Sequence, residues 1–271
     1  MPEGDTIHRA AAALDAALSG HAVTAFEAPR ARGPRPQPGE LVDRVEAVGK
    51  HLVMRFSGGV TLRTHQAMTG AWMLHRPGER WRRPRGAMRV MVETAEWTAV
   101  CFAAPVVELT RTTPERLVAL SGLGPDLTRA EADLGEALRR LRELTSPEAT
   151  TAEVLLDQRI TSGIGNVHKA ETLWSCRVSP FALAADLDDD AWRRLFERAA
   201  RGLRGAAGPL GGARSTAPGG AAVYGRAGRA CPRCSSPIRV AGRAQAAAAG
   251  ERLTYWCERC QPTPPGRPIR G

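Results

Sequence analysis

Lysine is nearly absent from this chain. Of its 38 Lys and Arg residues only Lys50 and Lys169 are lysine, which leaves 36 arginines. A guanidinium is a fixed, planar cation, whereas an ammonium is compact and can give up its proton. Where almost every cation is Arg, a surviving Lys is expected at a position at which that difference counts, with chance survival the competing reading for each. Aromatic residues are sparse as well, at 5%. No apolar run approaches the ~18 residues of a membrane span, and no basic segment followed by an apolar one opens the chain, as a secretory leader would require. With no leader, the six cysteines are expected as thiols or metal ligands rather than disulfides. These absences predict a soluble, cytosolic protein.

A chain of 271 residues that is 43% hydrophobic can build one large or two medium domains with buried cores. The formal charge of +10 suits a polyanion such as nucleic acid. The abundance of Ala, Gly, Pro and Arg is also what a GC-rich coding sequence gives, so charge alone leaves the partner open.

The chain begins "MPEGDTIHR". Asp5 or Thr6 is placed to cap a helix with Ile7, Ala11, Leu14 and Leu18 on one face. A small residue at position 2 also permits removal of the initiator Met, which would make Pro2 a terminal secondary amine. Strand patterns follow at "AVTAFE" and near 41–48, 51–56, 60–64, 71–75, 88–94 and 97–103, with Lys50 at a turn between two of them. Past the Gly/Pro break "SGLGPDLT" the period becomes helical in "RAEADLGEALRRLREL", "TAEVLLDQ", "NVHKAETLWSC" and "DDDAWRRLFERAARGL". Two further stretches carry chemistry. In "LLDQRITSGIGNVHKAETLW" the glycines allow a tight turn, and Asn166 can cap the helix it opens, whose exposed amides suit a phosphate; an ordinary helix-turn-helix packing unit is the other reading of this stretch. "CPRC" and "CERC" (Cys231, Cys234, Cys257, Cys260) are two C-x-x-C knuckles able to close one structural zinc site around a hairpin with "RAQAAAAG" at its tip. Cys101 and Cys176 are expected to be packing residues.

"MPEG", "GKHL", "LGPDL", "LLDQRITSGIGN", "VYGRAGRACPRC" and "RLTYWCERCQ", in this order over almost the whole chain, resemble the formamidopyrimidine-DNA glycosylase and endonuclease VIII family. The resemblance implies a two-domain α+β fold: an N-terminal β-sandwich with flanking helices, and a C-terminal helical helix-two-turn-helix domain carrying a four-cysteine zinc finger. The expected divisions are a catalytic domain over 1–121, a hinge over 122–128, the helix-two-turn-helix domain over 129–225, the zinc finger over 226–263 and a flexible tail over 264–271. It implies a monomer acting on damaged DNA in base excision repair, with one structural zinc. In the family the N-terminal Pro attacks C1′ of the damaged nucleoside, a Schiff base forms, and β- then δ-elimination cuts the strand.

Residue by residue, the resemblance makes Pro2 the nucleophile, Glu3 the acid that protonates the opening sugar, Lys50 the agent of β-elimination, and Arg252 the phosphate-gripping residue of δ-elimination. Asn166 matches the phosphate-binding Asn, Glu171 a supporting acid, and Met68 the side chain that fills the gap left by an everted base, with packing in the core the competing reading for Met68. Thr6 stands where many members carry Glu, and His168 where an aromatic such as Tyr often follows the Asn. The segment with which purine-lesion members hold the orphan base is absent, which points to the endonuclease VIII branch and oxidised pyrimidines. The competing expectation is a non-catalytic zinc-finger protein that binds nucleic acid, in which Pro2 is incidental.

Overall fold

A computed structural model describes residues 2–207, 220–242 and 253–262. The chain divides into two compact units, Met1–Gly122 and Leu123–Gly271.

The first unit opens with α1 (Gly4–Leu18), which buries Ile7, Ala11, Leu14 and Leu18 along one face. Its N-cap is Glu3, not Asp5 or Thr6: the Glu3 carbonyl accepts the amides of Thr6 (3.0 Å) and Ile7 (3.1 Å), so the helix begins earlier than its polar residues suggest. Asp15, on the same helix, accepts the Val45 amide at 2.7 Å and the Ser19 hydroxyl at 2.5 Å. That carboxylate pins α1 to the sheet below it.

Eight strands follow: β1 (Ala25–Glu27), β2 (Val42–Val48), β3 (His51–Phe56), β4 (Thr61–His65), β5 (Ala71–His75), β6 (Met88–Glu93), β7 (Thr98–Phe102) and β8 (Val106–Thr110). They form two antiparallel four-stranded sheets, β1-β6-β7-β5 and β2-β3-β4-β8. Strand alternation sends Val45, Leu52, Met54 and Leu62 from one sheet, and Val90, Val92, Ala99 and Cys101 from the other, into one core shared with α1. Burial pushes the Cys101 thiol up to about 12, as befits a packing residue. A smaller cluster of Met88, Met91, Val100 and Phe102 is covered by Trp81, edge-on to Phe102. A short helix, α2 (Val118–Ser121), ends the unit.

In the second unit, α3 (Leu134–Leu144) is capped by Asp133 and α4 (Thr151–Leu156) by a Thr150–Glu153 capping box. The next helices, α5 (Asn166–Cys176) and α6 (Asp189–Ala207), pack on them around Leu155, Ile164, Leu173, Trp192, Leu195 and Phe196. A hairpin of β9 (Arg239–Ala241) and β10 (Thr254–Trp256) carries the paired cysteines; the expected "RAQAAAAG" tip lies outside the described residues. Among the described residues no helix is long and apolar enough to cross a membrane.

Two of the sequence motifs lock onto each other here. Gly124 donates its amide to Gln158 O (2.9 Å), Ser162 donates its amide to Pro125 O (2.9 Å), and the Ser162 hydroxyl donates to Gly124 O (3.0 Å). "LGPDL" therefore pairs with "QRITSG". A Cβ on Gly124 would stand against the Ile160 carbonyl, so glycine is required for close approach rather than for its dihedrals. Gly124→Ala is expected to destabilise the second unit by about 1–3 kcal/mol, read as a lower urea midpoint at unchanged slope; a wild-type midpoint would show that the approach is not tight.

Candidate active site and metal centre

Pro2 is half-buried and Glu3 fully buried. Because the Glu3 carbonyl is the first acceptor of α1, Pro2 is tethered at the start of a packed helix instead of hanging from a frayed end. Asp5 is fully buried too, and the Thr6 hydroxyl stands 3.5 Å from its carboxylate. A carboxyl group thus lies beside position 6, at Asp5.

Lys50 occupies the two-residue turn between β2 and β3, made possible by the positive φ of Gly49 (58°). Register places His51 opposite His65, so the Lys50 turn and the 66–70 turn lie at the same end of the sheet. The 66–70 turn closes through Gly70 N to Gln66 O at 2.8 Å, with Ala67 in the left-handed region, and holds Met68 out at 73% exposure. Core packing is therefore not what Met68 does.

The sequence reading missed a charged row on the same sheet. Arg63 is buried; it donates Nε to Glu108 at 2.8 Å and lies 2.9 Å from His51 Nδ1. Arg can only donate, so His51 Nδ1 accepts and the ring proton sits on Nε2. The His51 and His65 rings meet at a tilt, with centroids 4.8 Å apart and planes at 49°. Burial first, then His65, Arg63 and Lys50, hold His51 down at about 3; burial, Lys50 and Arg63 lower His65. The only advance signal was the "H" of "GKHL", since the partners meet through cross-strand register.

In the second unit Asn166 is the first residue of α5 and Gly165 the N-cap, so Asn166 does not cap the helix. Its Nδ2 instead donates to Leu253 O at 2.7 Å. Glu171 accepts three successive amides, of Ala222, Val223 and Tyr224, at 2.8–2.9 Å, a charge-assisted clamp on the "VYG" segment. His168 is buried, close to where Gly202 of α6 leaves room for its ring. Arg252 lies outside the described residues.

The Sγ atoms of Cys231, Cys234, Cys257 and Cys260 all lie within 4.8 Å of one another. Four sulfurs bound tetrahedrally at about 2.3 Å from a metal stand about 3.8 Å apart; the pairs Cys231–Cys260 and Cys234–Cys257 are at 3.9 and 3.4 Å. The donor set fits a four-sulfur ion with no open position. Trp174 Nε1 approaches Cys231 Sγ at 3.4 Å, and the fully buried Gln261 accepts the Cys257 amide while donating to Val178 O, which accounts for the "Q" of "CERCQ".

Residues 1–105 match the formamidopyrimidine-DNA glycosylase N-terminal domain, and residues 123–214 that family's H2TH domain. A probable endonuclease 8 2 of Streptomyces coelicolor is 40% identical over 275 residues, covering 99% of this chain and 96% of the relative. A DNA-(apurinic or apyrimidinic site) lyase Nei2 of Mycolicibacterium smegmatis is 35% identical, covering 96% of this chain and 99% of the relative. The crystal structure of MutM (Fpg) from Thermus thermophilus superposes with a TM-score of 0.77 at 27% identity, over 97% of this chain and 100% of that one.

The His51 pKa has a consequence for stability. Between pH 6.5 and 3 the unfolded chain holds a proton on this ring that the native state does not, so its contribution to stability rises with pH across that window and is lost as pH falls. From pH 7 to pH 4.5 the loss amounts to about 2–3 kcal/mol. His51→Gln, which keeps an acceptor for Arg63, should lose that much less in urea titrations over the same interval; parallel curves for the two proteins would contradict the half-buried neutral ring.

Proposed function

The chain belongs to the formamidopyrimidine-DNA glycosylase family, on its endonuclease VIII side, and from that premise we propose that it is a base-excision-repair glycosylase and AP lyase in which Pro2, freed by loss of Met1, is the nucleophile. The observation that supports this reading most is the tethering of Pro2 at the start of α1 beside the buried Glu3. A terminal α-amine of pKa ~7.8 is roughly a third unprotonated near pH 7.5, whereas a lysine of pKa ~10.4 is about 0.1% free amine. A secondary amine at the terminus can therefore attack without a dedicated base.

In the proposed sequence the Pro2 nitrogen bonds to C1′ of the damaged nucleotide and the glycosidic bond breaks, the base leaving with the bonding pair and taking up the proton that the Pro2 nitrogen gives up. Glu3 donates a proton to the ring oxygen as the C1′–O4′ bond opens, giving the iminium. Loss of a C2′ proton then expels the 3′ phosphate, with Lys50 as the agent, and a second elimination, assisted by Arg252, expels the 5′ phosphate. Water returns Pro2 to the free amine. Asn166 holds a backbone phosphate at the start of α5, and Met68 enters the space vacated by the everted base. Glu171 supports this site by clamping the chain that leads to the zinc hairpin. The four thiolates hold one zinc ion, which supplies folding energy to the hairpin and no chemistry. The preferred lesions are oxidised pyrimidines, because the segment that grips the base opposite purine lesions is missing. The divisions at 122–128, 225 and 263 are the working boundaries of these parts.

An uncleaved N-terminal extension turns the Pro2 amine into an amide, whose lone pair is delocalised. Such a protein should neither excise bases nor form a borohydride-trapped adduct with abasic DNA, while still binding DNA through its phosphate contacts. Excision at the untagged rate would sink the Pro2 assignment, and failure of the untagged enzyme to trap would favour a non-catalytic DNA-binding protein. Cys257→Ser should release the zinc and weaken DNA binding; elemental analysis showing no zinc in an active preparation would overturn the metal assignment.

A further inference from the structure

The second of the two lysines has no part in the proposed chemistry. Lys169 is 1% exposed, on the first turn of α5. Burying an ammonium is costly, and the start of a helix is the wrong end for a cation. Neither helix propensity nor surface charge explains it. Its Nζ donates to the Thr254 hydroxyl at 3.1 Å, at the first residue of β10, next to Leu253, whose carbonyl receives the Asn166 amide at 2.7 Å.

These two bonds are consecutive rungs between one helix and one strand. The Leu253 carbonyl needs a donor, so it dictates which way the Asn166 amide faces. One N–H of Asn166 is thereby spent and the other is left for a ligand, while Oδ1, buried, makes no hydrogen bond among the described residues. The aim of that second N–H depends on where Leu253 sits along α5, and a rotation of the Leu253–Thr254 peptide would turn the amide away. The bond from Lys169 to the next residue opposes that rotation.

We propose that Lys169 is a positioning residue of the DNA-phosphate site: by holding Thr254 it fixes the Leu253 carbonyl, and through it the orientation of the Asn166 amide. The proposal rests on Asn166 being a phosphate contact. A compact ammonium on a flexible stem reaches the Thr254 hydroxyl from within the core with less bulk than a forked guanidinium. That accounts for a lysine in a chain that otherwise uses arginine.

The test is a double-mutant cycle on binding of duplex DNA containing a tetrahydrofuran abasic analogue, with zinc content measured for each protein. Lys169→Met and Thr254→Val, the latter retaining shape and removing only the acceptor, should each weaken binding about tenfold and bind a full zinc complement. Neither should weaken binding further once Asn166→Ala is present. The dependence of affinity on salt should keep its slope in Lys169→Met, because a direct lysine–phosphate contact would lower the slope by about 0.9. Wild-type affinity in Thr254→Val, additive losses on the Asn166→Ala background, or a reduced slope would overturn the proposal. If Asn166→Ala itself binds as wild type, the phosphate assignment of Asn166 falls and this inference with it. If Asn166→Ala is impaired and Thr254→Val is not, only the inference about Lys169 falls.

Discussion

A nucleophile that is a chain terminus must meet two opposed demands. The amine has to be the end of the chain, and chain ends fray, yet an attack on C1′ tolerates little positional error. The first unit meets both through a single carbonyl. Glu3 O accepts two amides of α1, which leaves Pro2 one residue outside a helix whose apolar face is sunk in the sandwich core. Asp15 then fixes the helix to β2. Placement of the proposed nucleophile thus depends on burial of Ile7, Leu14 and Leu18 as much as on any residue near the chemistry.

Cations are distributed by the same logic. Arginines cover the surface and form local pairs such as Arg139 with Glu136 and Glu143, or Arg55 with Glu46, each worth little alone. The lysines are at structurally singular points: one in a two-residue turn beside a pair of tilted, touching histidines, the other inside the helix-to-hairpin joint. Around Lys50 the sheet sets a neutral His51 between cationic neighbours, with Glu108 as the countercharge of Arg63. The local field there is positive, which suits a phosphate.

Much of this was legible in the sequence, and the failures have physical reasons. Apart from β1, whose start was placed three residues early, the alternating strands and α5 emerged within a residue or two, because half-buried strands and a helix between glycine turn and C-cap leave strong periodic marks. β8 was missed, since "VVELT" on a sheet edge buries only Leu109 fully and does not alternate. The caps of α1 and α5 were misplaced by polar side chains that look like caps but serve other partners: Asp5 is buried, and Asn166 reaches across to Leu253. The partners within the row His51–Arg63–Glu108 and the pair Lys169–Thr254 could not be read, being products of register and of contacts between distant residues. The family motifs, in contrast, were legible as contiguous stretches of sequence, two of which, "LGPDL" and "QRITSG", pair with each other in the fold.

Everything proposed about catalysis turns on which amine bonds to the sugar. The direct measurement is peptide mapping by mass spectrometry of the borohydride-reduced adduct, after digestion of both protein and DNA. If Pro2 is the nucleophile, the deoxyribose remnant is on the N-terminal peptide, at the proline nitrogen, and that peptide begins at residue 2. A remnant on Lys50, or on any internal peptide, would contradict the account.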